Sequence, residues 1–120
     1  MAVRLGAAIV ACGLAVTPVS AADPAMVERF AALADAFSAR LPRSPLEGLA
    51  PASRRDRADC ILTNFETAHG ASGLSALMSM MSVLASGAQF DDQTIVDFNA
   101  RFGPDYDRIE MECTRAQRGS

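Results

Sequence analysis

Apolar residues recur at three- and four-residue steps along most of this chain, the spacing that lines one face of a helix. Met26, Phe30, Leu33, Phe37 and Leu41 form the first such face. Asp23 is placed to cap it, and Pro24 is tolerated in a first turn, where its missing N–H would be unpaired anyway. Pro42 and Pro45 end it, and residues 42–52, PRSPLEGLAPA, read as the one real linker. Ser53-Arg54-Arg55-Asp56 resembles a capping box for a second helix carrying Ala58, Ile61, Leu62, Phe65 and Ala68 and ending at Gly70. A later helix has Asp91 as N-cap, Phe90 and Ile95 as a hydrophobic staple, and Ile95, Phe98 and Phe102 as its face; Gly103-Pro104 closes it. Tyr106, Ile109, Cys113 and Ala116 mark a last helix.

Between these lies GASGLSALMSMMSVLASGAQF, residues 70–90, which holds no charge. With Ser72 as cap, a central helix is predicted from Gly73 to about Ser86. Ser72, Ser75, Ser79, Ser82 and Ser86 fall within an arc of roughly 80°, and apolar side chains fill the rest. Such a helix is normally surrounded by neighbours. It is too short and too often interrupted by serine to span a bilayer, which needs roughly 20 apolar residues. The serine strip reads as a solvent-facing edge or as a small-residue seam for a second helix. That makes Ser75, Ser79, Ser82 and Ser86 a candidate partner surface. No segment alternates as a strand does, and no hairpin signal is present. The pattern predicts an all-α domain of five helices.

The N-terminus changes what counts as the working protein. MAVR, then LGAAIVACGLAV, then TPVSAADP combine one arginine, a short apolar run and a small-residue exit, the pattern of a secretory signal peptide. Val19 and Ala21 fit the small positions before a cut, so cleavage is expected after Ala21, with Ala22 the second choice. Cys12 lies too early in the apolar run to favour a lipoprotein site. The organisation is therefore a signal peptide over 1–21 and one exported domain over 22–120, periplasmic or secreted.

Two cysteines remain in that domain, Cys60 and Cys113, and an oxidising compartment favours joining them. The bond would tie the second helix of the mature chain to the fifth. With no CxxC, it reads as a staple and not as a redox pair. Acidic residues outnumber basic ones, and every basic residue is arginine. Lysine chemistry is excluded, and an acidic exported chain is poorly suited to nucleic acid.

Candidate chemistry is thin. His69 is the only histidine, so no multi-histidine metal site can form. Ser72 near it lacks the spacing of a nucleophile elbow. Asp105-x-Asp107 lacks the glycine and the final ligand of a calcium loop. The acids from Asp91 to Glu112 read as a solvated face, with Asp97 and Arg101 spaced as an i,i+4 pair. Met78 and Met81 lie about 60° apart on the central helix and could offer two sulfurs to Cu(I). Core packing is the commoner use of methionine, and no cofactor is expected. Arg54, Arg55 and Arg57 crowd a helix N-terminus, against the helix dipole. They face either an acidic patch on a partner or acids of the same chain: Asp56, Asp59 and those near the C-terminus.

Together these features point to a non-enzymatic exported interaction module that contacts another envelope protein or a second copy of itself. In architecture the chain also resembles the small periplasmic acid-stress chaperones: exported, helical, about a hundred residues, with one disulfide. That resemblance implies an alternative, a chaperone opened by acid while its arginines stay charged. The third reading is a Cu(I)-binding protein through Met78 and Met81.

Overall fold

Asp23 opens the first helix as expected. Its carboxylate accepts from the Ala25 N–H at 3.2 Å, and Pro24 takes the first helical position of α1, Pro24–Ser38. In this computed structural model residues 22–119 are described, and the export signal predicted over 1–21 lies outside the described residues. Two longer helices follow, α2 over Pro51–Ala85 and α3 over Gln93–Arg118. No strand occurs among the described residues, and no helix there is long and apolar enough to cross a membrane.

Among the described residues the five expected helices are thus three, for two separate physical reasons. The break at Gly70 is real in dihedral terms, with φ 73° and ψ −173°, but it is a bend inside α2 and not an end. That backbone region is essentially reserved for glycine. Gly73 makes the bend tight: a Cβ there would lie 2.4 Å from the Cβ of His69. Ser72 accordingly caps nothing. Gly70→Ala meets no steric neighbour, so its whole cost is conformational, about 1–3 kcal/mol. A lowered urea midpoint with an unchanged slope is the expected result.

Gly103-Pro104 does not close a helix either. Proline removes one backbone hydrogen bond and crowds the carbonyl four residues earlier, here that of Ala100. Ala100 and Pro104 are both exposed, so water can serve that carbonyl. Phe102 and Tyr106, on either side of the proline, both pack edge-on against Phe65, which holds the two halves of α3 on one surface.

The helix starts also differ. α2 begins at Pro51 with Ala50 as its N-cap, so Ser53 and Asp56 form no capping box. α3 is capped by Asp92, which accepts from the Thr94 N–H at 2.9 Å, and not by Asp91. The expected staple fails with it. Ile95 is buried, whereas Phe90 is 67% exposed and meets Phe37 edge-on at 6.4 Å.

The core sits on both halves of α2. Ile61, Leu62 and Phe65 from the first half and Leu74, Leu77 and Met78 from the second are buried with Val27 and Phe30 of α1 and Phe98, Phe102 and Ile109 of α3. The expected disulfide joins Cys60 to Cys113, linking α2 to α3 with Cα atoms 5.8 Å apart. α2 packs against both other helices, but no Cα of α1 comes within 8 Å of one in α3. The bundle therefore has one open side.

Candidate functional site

The open side is a cleft of about 220 Å³ between α1 and α3 with α2 as its floor. Along α3 its lining runs from Ile95 through Asn99 and Tyr106 to Glu110, a length of about 22 Å at helical rise. The end near the α2–α3 turn is apolar. Phe37, Met80, Met81, Leu84 and Ile95 lie there, with Phe90 exposed at the edge. Methionine is unbranched and polarizable, so this end can adapt its shape.

The other end is polar and built around Arg57, which is only 3% exposed. Its Nε donates to Thr114 Oγ1 at 2.7 Å and its Nη2 to Glu110 Oε2 at 2.8 Å. A buried guanidinium needs such a carboxylate, because leaving either charge unpaired costs several kcal/mol. Burial pushes the Glu110 carboxyl up, and the charge of Arg57 works against that rise. Burial likewise raises the Tyr106 hydroxyl well above its ordinary value.

A second polar cluster closes the Gly70 bend from outside the cleft. His69 Nε2 lies 2.6 Å from Asp105 Oδ2, and Arg108 donates to the other oxygen of the same carboxylate. The imidazole packs on Phe65 and Phe102 at 4.6 and 4.9 Å between ring centroids. The hydrogen bond from Arg108, then that with His69, holds the Asp105 carboxyl below its usual value of 3.8. A carboxylate with a depressed folded pKa contributes stability above its unfolded pKa and loses it as pH falls through the folded one. Wild-type unfolding temperature should therefore drop more steeply than that of Asp105→Asn as pH falls below about 4. Parallel acid limbs in the two melting profiles would contradict this role. Glu110, shifted the other way, acts with opposite sign: ionising it costs stability as pH rises through its raised pKa.

Of the residues singled out in the sequence, the three arginines are all engaged within the chain. Arg54 pairs with Asp35 at 3.1 Å and donates to the carbonyls of Leu46 and Leu49, tying down the linker. Arg55 pairs with Glu28 of α1 at 2.6 Å, and Arg57 with Glu110. Their crowding at a helix start is thus matched by acids on α1 and α3, and not by Asp56 and Asp59. Ser75, Ser79 and Ser86 lie exposed, and Ser82 is half-buried. Ser82 donates to the Met78 carbonyl and accepts from Arg29. Met78 and Met81 are both buried in the core, and Met80, set apart by helical angle, lines the cleft beside Met81. Asp97 accepts from Gln93 at 2.6 Å, while Arg101 sits over the Phe102 ring at 4.7 Å.

The cleft itself has no sequence signature, because its lining comes from all three helices and both segments between them. The His69–Asp105 pair was equally hidden, whereas Arg57–Glu110 is one of the expected pairings of the arginine cluster with acids near the C-terminus. Among the described residues, no three of His, Cys, Asp and Glu are grouped as a metal set. No family model, curated protein or solved structure matches the chain.

Proposed function

We propose that this protein is a non-enzymatic interaction module, exported to the periplasm or the cell exterior, that holds a protein partner across the open side of its bundle. The observation that supports this most is the unclosed cleft with an exposed phenylalanine at its edge. At about 220 Å³ it falls below the usual range for small-molecule sites, roughly 300–1,000 Å³. It suits one large apolar side chain, the kind of anchor that carries most of the energy of a protein interface. Val96 and Met111, 42% and 54% exposed, are further apolar side chains at the surface of α3. Export is supported by the signal-like N-terminus and is compatible with the disulfide.

The partner is an envelope or extracellular protein that presents such an anchor. Because Phe90 is exposed, Phe90→Asp leaves the fold intact and tests the surface alone. Tagged protein recovered through the export route should carry one companion at stoichiometric level, and the variant should recover it at least about tenfold less, the equivalent of 1.4 kcal/mol. Equal recovery by the variant would exclude this surface. A dimer in place of a foreign companion would identify a second copy as the occupant.

The acid-responsive reading keeps one specific support. Glu28 and Asp35 are the carboxylates that join α1 to α2 through arginine. Protonating them leaves the arginines charged and mutually repelling. Failure to suppress client aggregation near pH 2–3 would remove that reading.

A further inference from the structure

Ala22, the residue immediately after the expected cut, is the most enclosed point at the start of the described chain. It is 6% exposed, and its backbone nitrogen lies 3.2 Å from Asp59 Oδ1 and 3.2 Å from Thr63 Oγ1. Thr63 in turn donates its hydroxyl to the same Asp59 oxygen at 3.2 Å. Asp59 and Thr63 sit one turn apart on α2, so their oxygens meet over one face of the helix. This is an oxygen-lined socket aimed at one particular nitrogen.

An ordinary amide has one N–H, so in an uncut chain it could satisfy only one of these acceptors well. Hydrolysis of the Ala21–Ala22 bond changes that. Water supplies its oxygen to the Ala21 carbonyl carbon, which leaves as a carboxylate, and the Ala22 nitrogen becomes an ammonium with three donors and a positive charge. From this geometry we infer that Asp59 and Thr63 form a receptor for the new N-terminal ammonium, so that processing itself completes the packing of α1 on α2. The inference rests on cleavage after Ala21 and not after Ala22. A cut one residue later would remove the nitrogen that the socket holds. It is independent of which partner fills the cleft.

The charges around the socket favour an ammonium. On α2, Asp56 lies one turn before and Glu66 about two turns after Asp59, and Arg55, on the same face, is engaged with Glu28. On the α1 side the adjacent group is Asp23, whose carboxylate caps Ala25. A charge-assisted bond of this kind is roughly twice as strong as a neutral one. It also raises the pKa of the α-amino group, ordinarily about 7.7–8.0. A group whose folded pKa is raised gives its full stabilisation below its unfolded pKa and loses it as pH rises through the folded value.

The test uses protein whose first residue is Ala22, prepared by traceless removal of a fusion, so that the measurement does not depend on the natural cut. The α-amino pKa, read from the pH dependence of the Ala22 carbon shifts by NMR on the unmodified amine, should lie about one unit above its value in Asp59→Asn. The unfolding temperature of the wild type should fall between about pH 8 and pH 10, and that fall should be absent from Asp59→Asn and from protein extended by Gly-Ser ahead of Ala22. Thr63→Val should give an intermediate shift. An α-amino pKa that is the same in wild type and Asp59→Asn overturns the receptor. The intact mass of protein made through the export route checks the cut separately. A mature chain that does not begin at Ala22 overturns the link to processing, whatever the socket does in the recombinant form.

Discussion

Replacing Phe65 with alanine is expected to lower the stability of the domain by about 3–5 kcal/mol. Among the described residues no other side chain packs against as many aromatic rings. Fully buried on the first half of α2, it stacks on Phe98 at 5.8 Å and meets Phe102 and Tyr106 edge-on at 5.5 and 6.1 Å. It also supports the His69 ring at 4.6 Å, and its edge lies 3.5 Å from where a Cβ on Gly73 would sit. Removing it opens a cavity at the point where the Gly70 bend meets the proline-containing part of α3. Total stability of small domains is roughly 5–15 kcal/mol, so the loss is about a fifth or more of what is available. Urea unfolding followed by far-UV circular dichroism measures it, and Tyr106, the only tyrosine, reports the same site by fluorescence. Phe90→Ala is the matched control and should stay within about 0.5 kcal/mol, because that ring is exposed. A Phe65→Ala loss under 1 kcal/mol would mean that the aromatic cluster is not the centre of the fold.

Removing the disulfide is the second large effect. Cys60 and Cys113 are 53 residues apart in sequence and join the first half of α2 to the end of α3. The chain-entropy model gives about 4 kcal/mol for a loop of that size, within a usual range of 2–5. The double variant Cys60→Ser, Cys113→Ser should still be helical but unfold at a clearly lower urea concentration. Reducing agent should bring wild type to the same midpoint and leave the variant unmoved. An unchanged wild-type midpoint under full reduction would show that helix packing alone holds α3 in place.

These two effects mark what the sequence made legible. The all-α class followed from the three- and four-residue spacing of Phe30, Ile61, Phe65, Phe98 and Ile109, all of which are buried. The cysteine pairing followed from there being only two cysteines outside the apolar N-terminal run. The helix count did not follow, because glycine and proline signal helix ends locally but not here. Gly70 does break the helical dihedrals, but packing on α1 and α3 carries the chain through the bend. Pro104 sits on an exposed side of α3 while Phe102 and Tyr106 hold both halves to the same core, so tertiary contacts override the local signal. The candidate site was the least legible part. A cleft formed because the backbones of α1 and α3 stay more than 8 Å apart is a property of how helices are arranged, and no residue pattern encodes it locally. The arginine cluster gave a true hint that something charged lay opposite. Its acids are on α1 and at the end of α3, beyond the reach of any local motif.

A photo-crosslinking residue placed at Phe90 of the full-length protein, expressed in its cell, tests whether a partner occupies the open side of the bundle. Ser79, exposed on the serine strip, receives the same residue as the comparison. Irradiation in the intact cell envelope or in the secreted fraction, followed by mass spectrometry of the adducts, reads out the occupant. One dominant protein adduct from Phe90, absent or much weaker from Ser79, is the predicted result. An adduct from Ser79 alone, or none at Phe90 under conditions where the protein is folded and oxidised, would rule out a partner on the open side.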